Sequence, residues 1–160
     1  MPERIALFGG TFNPIHFGHL ITARAAAEQL GMSRVILLPS ATPPHKAEHE
    51  LLAAEHRAAM VRLAILGEPL FEVSDFDLTR PGPSYTVDTV THFRALCAPG
   101  VELFWMIGAD SLAELTTWRQ LPDLVDKCRI VTLSRTGAKP VDWLQFSAQL
   151  TEEQISRLRE

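Results

Sequence analysis

Residues 9–19 read "GGTFNPIHFGH" and directly follow the apolar run "RIALF" at residues 4–8. A short apolar run predicts a buried strand, and the glycines and proline after it predict a turn. Residues 17–30 have a helical period and are followed by Gly31, which is typical of a helix end. The chain therefore opens with a predicted strand, a glycine-rich turn and a helix.

The same alternation of short apolar runs and helical segments continues along the chain. It is typical of β-α-β units on a parallel sheet that is covered on both faces. The expected fold class is therefore α/β, a Rossmann-like doubly wound parallel sheet. The further predicted strands are "RVILLP" (34–39), "LFEVSDF" (70–76), "ELFWMI" (102–107) and "RIVTL" (129–133).

Two more helices and two loops are predicted between these strands. One helix covers residues 50–66 and is closed by Gly67, and another begins near Ser84 or Thr86. The loops, at residues 39–50 and 77–84, are rich in proline and suit the rim of a site. The apolar face predicted for the later helix consists of Val87, Val90, Phe93 and Leu96.

Composition limits the function classes. A chain of 160 residues, 46% hydrophobic, is expected to form a single domain over residues 1–160. Its net charge of −4 argues against a general nucleic-acid binder, and no apolar run approaches the about 18 residues of a membrane span. Cys97 and Cys128 form no CxxC pair and are expected to be buried and reduced. We therefore expect a cytoplasmic protein without nucleic-acid or membrane partners, and an oligomer is compatible with the sequence.

The last ten residues, "TEEQISRLRE", begin like a helix and then stop. Thr151 and Gln154 have the spacing of a capping box, and only about two turns follow. Because short helices depend on packing, we expect the natural chain to continue beyond Glu160 and to supply a further C-terminal segment.

The turn after the first strand carries the strongest chemical signal. In a doubly wound sheet, ligands bind outside the carboxyl ends of the strands, where Gly9 and Gly10 allow close backbone approach. His16 and His19 project to the same side of the first helical turn, with Gly18 between them, and suit a phosphate group. A zinc pair would lack a third ligand, and two surface histidines would leave the glycines unexplained.

This stretch resembles the TxxPxHxGH signature of the nucleotidyltransferase superfamily, so a nucleotidyltransferase-type sheet is expected. The resemblance implies that His16 and His19 stabilise charge on a triphosphate during direct displacement of pyrophosphate. It also implies that Thr11 positions the phosphate. Mg²⁺ is expected to enter on the substrate phosphates, with no protein metal ligands and no covalent intermediate.

Three later motifs narrow the resemblance. "PPHK" (43–46), "SYTVDT" (84–89) and "IGADSLAELTTW" (107–118) together resemble bacterial nicotinate mononucleotide adenylyltransferases. The implied reaction joins ATP and nicotinate mononucleotide into deamido-NAD and pyrophosphate, a step of NAD biosynthesis. The alternatives are a phosphopantetheine adenylyltransferase, a cytidylyltransferase, or a nucleotide sensor without catalysis.

The motifs suggest contacts to the mononucleotide. Lys46 offers a mobile cation, although a lone loop lysine is often simply solvated. Thr86, at a helix start, can receive a carboxylate, although Ser84 and Thr86 could also merely cap that helix. The resemblance assigns Trp118 to stacking on the pyridine ring, whereas Trp105 is expected in the core and Arg119 on the surface.

The motif after the fourth strand suggests contacts to ATP. Gly108 keeps the approach open, and the carboxylate of Asp110 can accept hydrogen bonds from ribose hydroxyls. The competing interpretation of Asp110 is a plain helix N-cap. The family's "ISSTxIR"-like phosphate contact has no match in "QISRLRE", so no role is transferred to Ser156 or Arg159. Either that segment lies beyond this chain or ATP binding is impaired.

Overall fold

A computed structural model describes residues 1–42, 51–134 and 140–159. Five parallel strands form one sheet with the order β3–β2–β1–β4–β5. The strands are β1 (Arg4–Gly10), β2 (Arg34–Pro39), β3 (Phe71–Val73), β4 (Glu102–Gly108) and β5 (Arg129–Leu133). The helices are α1 (Phe17–Leu30), α2 (Ala54–Ala64), α3 (Phe76–Thr79), α4 (Thr86–Leu96), α5 (Ala109–Glu114), α6 (Leu121–Lys127) and α7 (Glu152–Arg159).

Both faces of the sheet are covered, which confirms the predicted doubly wound α/β class. Ile5 and Leu7 of β1 pack into a cluster that includes apolar side chains of α4, α6 and α7. Ala6 and Phe8, which point to the opposite face, pack with side chains of α1 and α2. The alternation follows from the two-residue period of a strand and explains why the buried strands read as continuous apolar runs.

Two local end signals were confirmed. Helix α1 covers the predicted residues 17–30, and Gly31 follows it with a left-handed φ of 62°. Ahead of α7, the Thr151 amide donates to Gln154 Oε1 at 3.0 Å, and the Gln154 amide donates to Thr151 Oγ1 at 3.2 Å. The predicted capping box is therefore present.

Two other boundaries were wrong. Helix α2 ends at Ala64, three residues before Gly67, and residues 51–53, the described residues directly ahead of it, are not helical. The predicted apolar face of α4 holds for Val87 and Val90, but Leu96 is 69% exposed at the last position of that helix.

The segment predicted as a strand over residues 70–76 was also wrong in part. The ladder ends at Val73, and the Phe76 amide donates to Ser74 Oγ at 3.2 Å, where the helical turn α3 begins. The predicted loop from residue 77 therefore starts with a helix. Its Asp77 is only 3% exposed, because its carboxylate accepts a hydrogen bond from Thr89 of α4.

The cysteines differ from each other. Both are free thiols, and Cys128 is buried as expected, with its pKa raised to about 12 by that burial. Cys97 is partly exposed, which corrects the expectation that both are buried. No helix among the described residues has the length and apolar character to cross a bilayer.

Candidate active site

A crevice opens between β1 and β4 at their carboxyl ends. These neighbouring strands pair from Arg4 with Glu102 to Leu7 with Trp105. Beyond that point, β1 pairs with β2 up to Gly10, and β4 pairs with β5 up to Gly108. The chain winds away from β1 and β4 in opposite directions, so this crevice is the switch point at which doubly wound sheets bind ligands.

A cavity of about 380 Å³ lies in this crevice. Its lining brings together residues from three separate motifs that the sequence had singled out. They are Gly9, Gly10, Thr11, Thr86, Gly108 and Trp118. The lining does not include four other described residues that the sequence had singled out, namely His16, Gly18, His19 and Asp110. Lys46 and the rest of "PPHK" fall outside the described residues.

A neighbouring side chain leaves no space for a Cβ at Gly9, and the sequence did not predict this contact. A Cβ at Gly9 would lie 2.5 Å from two carbon atoms of the Trp105 indole. The lack of a side chain at Gly9 therefore allows Trp105 of β4 to pack directly against the backbone of β1. Trp105 is buried, as expected for a core residue, and its edge also lines the cavity.

The turn after β1 holds a conformation that side chains rarely adopt. Phe12 has a φ of 46°, in the left-handed region, and its ring is 3% exposed. That ring makes edge contacts with Phe8 at 5.6 Å and His19 at 5.3 Å between centroids, and it occupies the space that a Cβ at Gly10 would enter. Strain of this kind persists where the surroundings enforce it.

The two histidines form a parallel pair at the start of α1. Their ring centroids are 3.8 Å apart, with 29° between the planes. The His16 amide donates to His19 Nδ1 at 3.2 Å, so a neutral His19 carries its ring proton on Nε2. Such N–H groups and the helix N-terminus together suit a phosphate group.

The start of α4 is not capped by a side chain. Its N-cap residue is Tyr85, which corrects the alternative that Ser84 or Thr86 caps this helix. Ser84 Oγ is buried without a hydrogen-bond partner among the described residues, and both hydroxyl residues line the cavity. They are therefore suited to contact a ligand at a helix N-terminus, where an anionic group is favoured.

A partly buried ionic network, which the sequence did not predict, lies beside the start of α4 and includes Asp77 of the cavity lining. Asp77 accepts hydrogen bonds from Thr89 at 2.7 Å and from Arg80 at 3.3 Å, and Arg80 also donates to Asp88 at 2.9 Å. Burial raises the pKa of Asp77, while the contacts with Thr89 and Arg80 oppose that shift. The network ties α3 to the first turns of α4.

Arg119, expected at the surface, is exposed but also lines the cavity. Its guanidinium carbon lies 4.8 Å from the centroid of the Tyr85 ring. No carboxylate among the described residues lies within ion-pair distance of it. In the sequence, only its position directly after Trp118 indicated that Arg119 lies near the site.

Gly108, at the end of β4, and Asp110 take different positions at the start of α5. Gly108 is the N-cap of α5, so the alternative role of Asp110 as a helix cap is wrong. Asp110 lies instead in the first turn of α5 and is exposed. Its proposed contact with a ribose therefore rests on the sequence motif.

The fold and this crevice together define an α/β protein of the nucleotidyltransferase class. The chain belongs to the cytidylyltransferase-like family, whose model matches residues 7–157. The protein named "Probable nicotinate-nucleotide adenylyltransferase" of Symbiobacterium thermophilum is 48% identical over 158 residues, which cover 98% of this chain and 74% of that protein. The protein of the same name from Moorella thermoacetica is 43% identical over 136 residues, covering 85% and 63%. These relatives confirm the resemblance drawn from the motifs.

Solved structures agree on the fold. Nicotinic acid mononucleotide adenylyltransferase of Plasmodium falciparum, complexed with NaAD, superposes with a TM-score of 0.72 at 17% identity, covering 99% of this chain and 72% of that chain. The same enzyme complexed with APC also gives 0.72, at 16% identity. The chain spans 63% and 74% of the length of the two curated relatives.

We expect Gly9→Ala to destabilise the fold by about 1–3 kcal/mol, the usual cost of overpacking, because the new methyl group would collide with Trp105. Urea unfolding followed by tryptophan fluorescence measures this. Gly108→Ala is the matched comparison, since among the described residues no atom beyond its chain neighbours lies within 4 Å of the added carbon, and its cost is limited to a less favourable helix N-cap. Equal stability of the two variants would contradict the packing explanation.

Proposed function

We propose that this chain transfers the adenylyl group of ATP to nicotinate mononucleotide, yielding deamido-NAD and pyrophosphate in NAD biosynthesis. The observation that carries the proposal is the parallel His16–His19 pair at the start of α1, beside a crevice at the switch point of the sheet. The names of the relatives support the choice of acceptor.

The proposed reaction is a direct displacement. A phosphate oxygen of the mononucleotide attacks the α-phosphorus of ATP, and the bond from that phosphorus to the bridging oxygen breaks, so that pyrophosphate leaves with the electron pair. His16 and His19 donate hydrogen bonds to the phosphate oxygens on which charge builds up, and Thr11 helps to position them. Such transfers depend on alignment and charge stabilisation rather than on a protein nucleophile.

We propose that Mg²⁺ enters the site bound to the phosphates of ATP. The described residues contain no group of three His, Cys, Asp or Glu side chains arranged to hold a metal ion. Mg²⁺ is commonly bound through substrate phosphates and keeps several waters, so ATP suffices to carry it. When bound, it neutralises phosphate charge, and we assign its protein contacts to no side chain.

We propose that nicotinate mononucleotide, the acceptor, binds at the side of the cavity near the start of α4. Trp118 and Tyr85 provide aromatic surfaces for a flat pyridine ring. Thr86 and the free end of α4 favour a carboxylate, and Arg119 adds a positive charge. We propose Gly9, Gly10, Gly18, Gly108 and Asp110 as the ATP side of the site. Lys46 stays a sequence-based prediction for the mononucleotide, as does a cytoplasmic location.

The first test measures pyrophosphate release with ATP and Mg²⁺, using the protein at its full natural length. We expect turnover with nicotinate mononucleotide and a kcat/KM lower by roughly 10- to 100-fold with nicotinamide mononucleotide, because a charge-assisted hydrogen bond contributes about 1.5–3 kcal/mol. Turnover with phosphopantetheine, or with CTP in place of ATP, would favour the related transferases. Binding without turnover would favour the sensor.

Substituting either histidine should slow the chemical step. We expect His16→Ala and His19→Ala each to lower kcat by about 10²- to 10³-fold, as for other groups that stabilise charge in the transition state. His56→Ala, at an exposed position of α2, is the control and should retain the kcat of the unsubstituted protein. Unchanged kcat in both histidine variants would refute the proposed catalytic pair.

Arg119 should affect the choice of acceptor. We expect Arg119→Gln to raise KM for nicotinate mononucleotide about two- to fivefold, the effect of an exposed ion pair worth at most about 1 kcal/mol. KM for nicotinamide mononucleotide should stay unchanged. In Arg119→Lys, KM for nicotinate mononucleotide should lie between that of the unsubstituted protein and that of Arg119→Gln. An equal rise for both acceptors would instead indicate a role through stacking on Tyr85.

A further inference from the structure

Arg57 of α2 is the largest fully buried side chain in the described chain, at 1% exposure, and nothing in the proposed reaction uses it. Burying a cation is costly unless it is paired or fully hydrogen-bonded. No carboxylate among the described residues lies within ion-pair distance of its guanidinium. Burial lowers its pKa, and nearby Glu55 opposes that shift.

The guanidinium of Arg57 is satisfied by backbone carbonyls from separate segments. Nη1 donates to the Thr11 carbonyl at 2.5 Å, Nη2 donates to Ser40 at 2.7 Å, and Nε donates to Leu52 at 2.9 Å. A longer contact of 3.4 Å joins Nη2 to the Ala41 carbonyl. One rigid, planar group therefore holds three parts of the chain in a fixed relation.

Two of these carbonyls belong to residues that line the cavity, Thr11 and Ser40. The Thr11 carbonyl is part of the peptide group that leads into Phe12, whose φ of 46° is strained. The Ser40 amide and hydroxyl both donate to the Gly10 carbonyl, at 3.0 and 3.3 Å. Arg57 thus holds the strained turn on one side and the end of β2 on the other.

The third carbonyl extends the same connection. The Leu52 amide donates to Asn13 Oδ1 at 3.2 Å, two residues after Thr11. The turn that leads into His16 is therefore linked to Arg57 at Thr11 directly and at Asn13 through Leu52. A displacement of about 1 Å in a catalytic group can cost 10²-fold in rate, so this anchoring bears on the chemistry.

We propose that Arg57 is a positioning residue for adenylyl transfer, which holds the Thr11–Phe12 peptide and the Ser40 carbonyl and thereby orients the turn that carries His16 and His19. This inference rests on the proposed function. Arg57 contacts no substrate in this arrangement and acts through the backbone of the turn.

The test compares Arg57→Lys and Arg57→Ala in the full-length protein, at a temperature well below the melting temperature of each variant. Lysine keeps the charge but cannot reach three carbonyls with a planar fork. We expect kcat to fall about 10- to 100-fold in Arg57→Lys, with KM for ATP and for the mononucleotide little changed. In Arg57→Ala, added guanidinium ion at non-denaturing concentration should restore part of kcat, and it should restore none in Arg57→Lys.

Arg62→Lys and Arg62→Ala are the matched controls, because Arg62 lies on the same helix and pairs with Asp75 at the surface. They should keep the kcat of the unsubstituted protein. Amide hydrogen exchange adds a readout independent of turnover, since the Ser40 and Leu52 amides should exchange faster in Arg57→Lys than in Arg62→Lys.

Two outcomes would overturn the inference. One is a folded Arg57→Lys variant with unchanged kcat and unchanged exchange at Ser40 and Leu52. The other is a loss of kcat that only follows the unfolded fraction and is not rescued by guanidinium. If the unsubstituted protein releases no pyrophosphate, the proposed function fails, whereas the exchange measurement still tests how Arg57 holds the turn.

Discussion

The packing of the Trp105 indole over the backbone of Gly9 is the contact on which the site depends. It lies where β1 and β4 stop pairing, just after Leu7. Since a Cβ at Gly9 would overlap the ring, the glycine lets a large side chain from β4 form the floor of the crevice. β1 then continues to Gly10 against β2 alone. Gly9 and Trp105 both line the cavity, so this contact shapes the crevice directly.

The charges around the crevice are sparse and separately controlled. Among the described lining residues, Asp77 and Arg119 are the charged ones. The carboxylate of Asp77 is held by Thr89 and Arg80, so little of its charge faces a ligand. In the proposed function, the phosphates are recognised by imidazoles, helix N-termini and backbone amides rather than by a cluster of cationic side chains.

The regular elements were predictable because their signals are local. Four of the five apolar runs matched their strands closely, Gly31 marked the end of α1, and Thr151 with Gln154 marked the start of α7. Errors arose where distant contacts override local preference. At α3, which replaces a predicted loop, Asp77 accepts a hydrogen bond from Thr89 on another helix. No periodicity in the sequence predicts such a pairing.

The sequence alone determined the parallel α/β class and the strand, turn and helix around His16 and His19. The class follows from the alternation of apolar runs and helical segments along the chain, and the turn and helix follow from neighbours within a few residues. Tertiary structure alone decided why residue 9 is glycine and why Arg57 is buried. The guanidinium of Arg57 binds carbonyls up to 46 residues away along the chain, and no local pattern records where those carbonyls will meet. Long-range packing, which brings separate segments to one point, is the physical reason for that division.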